Sequence, residues 1–252
     1  MNGHRYGRAL WGALAGACLL AACATSRAFP ELEARRGRIT RIAVLPPAAT
    51  FKRITFQGDD PRMTAEEGTA RASLPEMIAA KLREHGLVAT DGSPPQGSDL
   101  AFQTAELQAV FDQALGELIR ASVQPAAQGH RSLGSQAARV AGPLNADALM
   151  LARVEGFSKS GGEIAKDFAK SLAVGVATFG LFIPVEPTSG SAIVVALVDG
   201  DNGDVLWSNM AHSTNSGVAP SNLQALVNVA LGSFPSGPFG GRAVASLEPR
   251  TP

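Results

Sequence analysis

Cys23 is the residue whose type and position most clearly indicate chemistry, because it ends the motif Leu20-Ala21-Ala22-Cys23. The motif closes an uncharged stretch at residues 9–20, which follows Arg5 and Arg8. That stretch is too short to cross a bilayer as a helix. A basic start, a short apolar stretch and small residues before a cut are the features of an export signal. The sequence therefore predicts a signal peptide that ends immediately before Cys23.

The same motif resembles a bacterial lipoprotein signal, with an aliphatic residue, two small residues and then the cysteine. The resemblance implies a thioether-linked lipid on Cys23 and an acyl chain such as palmitate on its new amino group. Several chains anchor stably, since each buried methylene contributes about 0.8 kcal/mol and a single chain is marginal. In this group an aspartate directly after the cysteine would imply retention in the inner membrane. Ala24 stands at that position, so the resemblance implies sorting to the periplasmic face of the outer membrane. The alternative is an ordinary secretory signal cut nearby, with Cys23 incidental.

Composition narrows the class of protein further. The chain has 22 basic and 22 acidic residues, and loss of Arg5 and Arg8 with the signal would leave 20 against 22. Neither a nucleic-acid binder nor a polybasic membrane binder is indicated. The other cysteine, Cys18, lies in the predicted signal, so we expect no disulfide framework in the mature chain.

The chain has four histidines that could serve in catalysis or metal binding, His4, His85, His130 and His212. They are far apart in sequence and form no HExxH spacing, and neither a G-x-S-x-G elbow nor a P-loop occurs. We therefore predict a non-enzymatic protein without cofactor or metal, and keep a hydrolase with an unrecognised site as the less favoured alternative.

The acidic turn that starts at Asp199 invites a calcium interpretation. Counted from Asp199, the fifth position is Gly203 and the twelfth is Met210, where an EF-hand needs an oxygen ligand and a glutamate. The Asn202-Gly203 pair instead indicates a hairpin turn, because both residue types accept a positive φ.

Apolar periodicity gives the order of the elements. Strands are predicted at 39–45, 148–154, 192–198 and 205–210, less clearly at 51–56 and 87–90, and helices at 61–85, 106–123, 133–141 and 223–231. This order predicts an α/β (or α+β) layer sandwich, with a mixed sheet of about four to five strands flanked by helices and an apolar insertion before the final β-hairpin. The predicted organisation is a signal at 1–22, a lipidated tether at 23–38 reaching about 50 Å, a domain at 39–232 with an insertion at 158–190, and a disordered tail at 233–252.

The insertion is apolar without a helical or strand period, and residues 172–185 carry no charge. Two interpretations stay open. The insertion packs against its own domain, or it forms a surface for membrane contact or self-association. The apolar residues that would form such a surface are Leu172, Val174, Val176, Phe179, Leu181, Phe182 and Ile183.

Three segments, at 41–47, 145–154 and 194–207, together resemble the envelope lipoprotein group that contains CsgG, PelC, LpoB and the TolB N-terminal domain. The resemblance implies an α/β sandwich in a non-enzymatic protein that assembles into a homo-oligomer or binds an envelope partner. The insertion departs from the group, and it does not resemble the membrane hairpins of the curli channel. The predicted function is an assembly or accessory component of a secretion or polysaccharide-export system. The alternative is a periplasm-spanning adaptor or activator of a cell-wall enzyme.

Overall fold

The computed structural model describes residues 25–55, 61–123, 129–159, 189–215, 219–235 and 239. Its strands are β1 Thr25–Ala28, β2 Arg41–Val44, β3 Ala48–Ile54, β4 Val88–Asp91, β5 Ala148–Lys159, β6 Ser189–Asp199 and β7 Val205–Ser213. Its helices are α1 Glu31–Arg35, followed by a 3₁₀ turn Arg36–Arg38, then α2 Thr64–Glu84, α3 Asp99–Val123, α4 Gln136–Ala141 and α5 Pro220–Gly232.

The long strand β5 organises the sheet. One edge of β5 pairs in parallel with β2 and then with β3, and its other edge pairs antiparallel with β6. The seven-stranded order is β1-β7-β6-β5-β2-β4, with β3 beside β5. The predicted α/β class with a mixed sheet is confirmed, and the predicted four to five strands are corrected to seven among the described residues.

Helices cover both faces of the sheet, and alternate residues of β5 enter two different cores. Ala148 and Met150 pack with α2 and α5, whereas Leu149 and Leu151 pack with α3 and α4. A strand covered on both faces needs apolar side chains at every position. The unbroken apolar run at residues 148–152 is therefore explained, and each of its leucine and methionine side chains contributes about 1.5–3 kcal/mol through burial.

The helix with the clearest apolar stripe, α3, extends further than predicted. It begins at Asp99 rather than at residue 106. The Ser98 side-chain oxygen accepts a hydrogen bond from the Ala101 N–H at 3.1 Å, which satisfies one free amide at the helix start. The stripe itself is confirmed, since Leu107, Phe111 and Leu118 are buried.

The segment predicted as a tether is folded, so that prediction is corrected. Thr25–Ala28 is strand β1, and Glu31–Arg35 is helix α1. Phe29 and Leu32 are 2% and 0% exposed. Two apolar side chains in a polar segment are enough to fold it, because both enter existing cores.

The start of the predicted disordered tail also packs on the domain. Phe234 is 3% exposed, and its ring centroid lies 4.9 Å from that of Trp207 and 5.5 Å from that of Phe239. The prediction of disorder is thus corrected for residues 233–235 and 239. Residues 236–238 and 240–252 lie outside the described residues.

The predicted insertion contributes its ends to the sheet, since residues 158–159 belong to β5 and 189–190 to β6. Residues 160–188 lie outside the described residues. Among the helices that the structure describes, none is long and apolar enough to cross a membrane.

Candidate membrane-anchoring site

Strand β1 starts almost directly after the predicted lipidation site. Only Ala24 separates Cys23 from Thr25, the first residue of β1. Cys23 itself lies outside the described residues. The position of Thr25 nevertheless limits where Cys23 can be.

β1 is fixed to the sheet by pairing antiparallel with β7, from Thr25 opposite Met210 to Ala28 opposite Trp207. The Ser26 hydroxyl accepts a hydrogen bond from Trp207 Nε1 at 3.0 Å and lies 3.3 Å from the Ser233 carbonyl, to which it donates. The strand after Cys23 is thus tied both to β7 and to the chain after α5.

The residues after β1 close the edge of the sheet from both sides. The Phe29 N–H donates to the Leu206 carbonyl at 2.9 Å, and the Phe29 ring packs into the core beneath α3. Leu32 packs into the opposite core, with α2 and α5. Because one short segment enters both cores, it is part of the domain and not a flexible leader.

This packing shortens the reach of the anchor. Two residue steps separate Cys23 from Thr25, which corresponds to about 7 Å of extended chain. A free tether over residues 24–38 would reach about 50 Å. A lipid on Cys23 would therefore hold the domain against the membrane surface.

Strands β3, β5 and β7 end, and strands β6 and β1 begin, at the same end of the sheet, which we call the anchor end. Ile54 lies opposite Lys159, Ser158 opposite Ser189, and Ser191 opposite Ser213. Met210, the partner of Thr25, is in the last part of β7, so the chain from Cys23 enters at this end.

The segment 160–188 leaves the sheet at Lys159 and returns at Ser189, so both of its ends are also at the anchor end. The residues predicted to form a membrane or self-association surface lie in this segment, outside the described residues: Leu172, Val174, Val176, Phe179, Leu181, Phe182 and Ile183. Sequence reasoning identified Cys23 and this stretch separately. Only the strand order brings their points of exit together.

The acidic turn lies at the opposite end of the sheet, and the carboxylates of Asp199 and Asp204 bind the protein's own donors. Asp199 Oδ1 accepts the Asp201 N–H at 2.8 Å, and Asp199 Oδ2 lies 3.5 Å from Arg35 Nε. Asp204 accepts from Asn202 Nδ2 at 2.7 Å. The hairpin-turn interpretation agrees with this geometry, although Gly203 has a positive φ of +79° and Asn202 does not.

Gly203 gives a first prediction, because an added Cβ there would collide with the backbone of Gly134 in addition to the strain of a positive φ. We expect Gly203→Ala to lower the free energy of unfolding by about 2 kcal/mol or more. Gly68→Ala is the control, since Gly68 lies in α2 with open space around it. That change should raise stability by about 0.5–1 kcal/mol. Equal effects in a denaturant titration would contradict the assignment of the turn.

Asp147 joins β2 to β5 at the end of the sheet opposite the anchor end. Its Oδ2 accepts the N–H groups of Thr40 and Arg41, each at 2.8 Å, and the Thr40 hydroxyl. Burial alone would raise the pKa of Asp147, but these hydrogen bonds and the Arg41 charge outweigh it and lower the pKa below its usual value. The Asp147 carboxylate is thus held by the fold.

The three histidines among the described residues stay apart. His85 lies beside Phe234 with ring centroids 5.6 Å apart, His212 is on β7, and His130 Nε2 lies 2.7 Å from Asp204 Oδ1. The neighbouring Ser132 hydroxyl donates to the Asn202 carbonyl at 3.1 Å. In the part of the chain that the structure describes, no three His, Cys, Asp or Glu residues could hold a metal ion.

No protein-family model matches the sequence, and no curated protein matches it. Among solved structures, the PelC dodecamer from Paraburkholderia phytofirmans is 16% identical, with a TM-score of 0.40 over 85% of this chain and 98% of that chain. Lipoprotein GNA1162 from Neisseria meningitidis is 18% identical, with a TM-score of 0.32 over 78% of this chain and 99% of that chain. Neither likeness carries a residue role over to this chain.

Proposed function

We propose that this chain is a non-catalytic lipoprotein of the bacterial envelope, anchored through acyl chains on Cys23 at the periplasmic face of the outer membrane. It serves as an assembly or accessory component of a secretion or polysaccharide-export system. The observation that carries the proposal is the motif ending at Cys23 together with the pairing of β1 with β7, which begins two residues later at Thr25. A protein built this way works at the membrane surface, with the anchor end of the sheet toward the lipid.

The alternative of a periplasm-spanning adaptor depended on a long tether. Because β1 and α1 are part of the domain, residues 25–38 supply no such reach. An adaptor would have to reach its partner with the domain itself or with residues beyond those described. A component that assembles at the membrane fits the short connection better.

The apolar stretch 172–185 is the second part of the proposal. It belongs to a segment whose two ends lie at the anchor end, where lipid on Cys23 would enter the bilayer. An apolar surface held next to a membrane is stabilised by burial in the boundary between headgroups and acyl chains. We therefore assign residues 172–185 a membrane contact in addition to the lipid, with self-association as the competing role.

Lipidation itself is tested by fatty-acid labelling. Cells that express the wild-type chain should incorporate labelled palmitate into it, and the membrane fraction should hold it. Cys23→Ser should lose the label and most of the membrane association, because the acyl chains supply the anchor. Cys18→Ser is the matched control and should change neither measurement. Label that persists in the Cys23→Ser chain would exclude this anchor.

The second contact is tested in a soluble chain that starts at residue 23 and carries Cys23→Ser. We expect this chain to float with vesicles of phosphatidylethanolamine and phosphatidylglycerol, and Leu181→Asp with Phe182→Asp to lower the bound fraction about tenfold. Phe102→Asp is the control, since Phe102 is 68% exposed on α3. The native mass is measured on the same samples. If the double substitution lowers the mass without changing flotation, the stretch is a self-association surface.

A further inference from the structure

The distance between Cys23 and β1 conflicts with the processing of Cys23. When β1 is paired, Cys23 lies within about 7 Å of Thr25. An enzyme that acts on Cys23 in the membrane must surround the cysteine with protein, and a single helix is already about 10 Å across. The paired strand therefore leaves too little chain for a processing enzyme to stand between the domain and the cysteine.

Opening β1 removes this conflict. If pairing with β7 is lost up to Phe29, six residue steps separate Cys23 from the domain, which corresponds to about 20 Å of extended chain. An extended segment with free backbone groups is also a form in which a partner can bind a peptide, by adding it as a strand. Residues 24–28 then supply both the reach and the conformation.

β1 can open while the buried apolar side chains of its segment stay in place, at the cost of the hydrogen bond from Trp207 Nε1 to the Ser26 hydroxyl. It has four residues, Ser26 and Ala28 are exposed, and Arg27 is half-buried. The apolar anchors of the segment, Phe29 and Leu32, come after the strand and are buried. Opening β1 thus breaks the backbone pairing and the bonds of Ser26, while Phe29 and Leu32 hold the rest of the segment in place.

We propose that β1 stays unpaired while Cys23 is lipidated and the signal is cut, and that it joins β7 only afterwards. The proposal rests on the lipid anchor proposed above. Pairing then draws the mature anchor from about 20 Å to within about 7 Å of the domain. The lipid and the sheet become one unit only after processing.

A disulfide between β1 and β7 tests the order. Arg27 lies opposite Ser208, and the Ser208 hydroxyl is buried without a hydrogen-bond partner among the described residues, so a thiol fits there. Paired Cα atoms in a sheet are within the range that a disulfide spans. In a pulse-chase experiment, the chain with Arg27→Cys and Ser208→Cys should remain as uncut precursor in those molecules whose disulfide has closed. Disulfide closure is measured by thiol alkylation and mass.

Two controls distinguish a block in the processing of Cys23 from a folding defect. Arg41→Cys with Val88→Cys places a disulfide between β2 and β4, away from Cys23, and should mature at the wild-type rate. A ten-residue Gly/Ser spacer between Ala24 and Thr25 should restore maturation of the Arg27→Cys, Ser208→Cys chain, since the spacer supplies the missing reach.

The proposal that β1 pairs only after processing would be overturned if the Arg27→Cys, Ser208→Cys precursor matured at the wild-type rate with its disulfide closed. A spacer that fails to restore maturation would also overturn it. The palmitate label on the wild-type chain reports separately on the anchor. If the wild type is labelled and the Arg27→Cys, Ser208→Cys chain matures normally, only the proposed order of processing and β1 pairing is contradicted. If the wild type is not labelled, the lipid anchor itself is contradicted.

Discussion

Leu32→Ala is expected to lower the free energy of unfolding by about 3 kcal/mol, because Leu32 is fully buried between the sheet and the helices α2 and α5. In a flexible tether the same change would have no effect. The measurement is a denaturant titration of the soluble chain that starts at residue 23. That chain retains Trp207 as its single tryptophan, so its fluorescence reports on the core next to β1.

Val88→Ala is the matched control for Leu32→Ala. Val88 is an aliphatic residue on the edge strand β4 and is 57% exposed, so its truncation should change stability by less than about 0.5 kcal/mol. If the two substitutions have the same small effect, residues 29–35 are not part of the domain. The short connection between anchor and sheet would then be lost as well.

The parts of the fold that follow from local pattern were predictable. The central parts of β5 (148–152) and β6 (192–198) are apolar at every position because helices cover both faces, and α3 has its apolar residues on one stripe. β1 was not predictable in this way. Its sequence Thr25-Ser26-Arg27-Ala28 has no apolar alternation, and its partner β7 is about 180 residues away in sequence. An edge strand held by backbone bonds leaves little trace in side-chain pattern.

One part of the candidate site was likewise predictable from local sequence, and the other part was not. The motif around Cys23 is local, so the sequence alone predicts the anchor. The common exit of Cys23 and of the apolar segment depends on strand order and direction, which place Thr25, Lys159 and Ser189 at one end. Strand order is set by pairing between distant residues, and no single segment encodes it.

A buried carboxylate, Glu67, links β3 to the start of α2 and is 2% exposed. Its Oε1 accepts the Phe51 N–H at 3.1 Å and Arg62 Nε at 2.9 Å. Its Oε2 lies 2.5 Å from an Arg62 guanidinium nitrogen and 3.3 Å from one of Arg71. All these donors favour the ionised carboxylate. Burial would raise the pKa of Glu67, but the Arg62 hydrogen bond, the Phe51 amide and the two arginine charges together lower it below its usual value.

Glu67→Gln is therefore expected to lower the free energy of unfolding at pH 7 by about 2 kcal/mol, since the charge-assisted bonds become neutral or are lost. The substitution should also reduce the loss of free energy of unfolding as the pH is lowered. The pKa of Glu67 is lower in the folded chain than in the unfolded chain, so its contribution is complete above the ordinary carboxyl pKa of about 4.3. That contribution disappears as the pH falls through the folded value, because the unfolded chain takes up the proton first.

The acid dependence is measured by denaturant titrations of the wild type and Glu67→Gln between pH 7 and pH 3. Part of the slope should remain in Glu67→Gln, because Asp147 also has a lowered pKa and shifts in the same direction. Adding Asp147→Asn should flatten the curve further, and the two effects should add, since Asp147 contacts Thr40 and Arg41 in a network separate from Glu67. Glu76→Gln is the control for loss of a surface carboxylate, because Glu76 is an exposed partner of Arg83 and its replacement should change stability at pH 7 by less than about 0.5 kcal/mol. An acid slope in Glu67→Gln equal to that of the wild type would mean that the Glu67 carboxylate does not help hold β3 to α2.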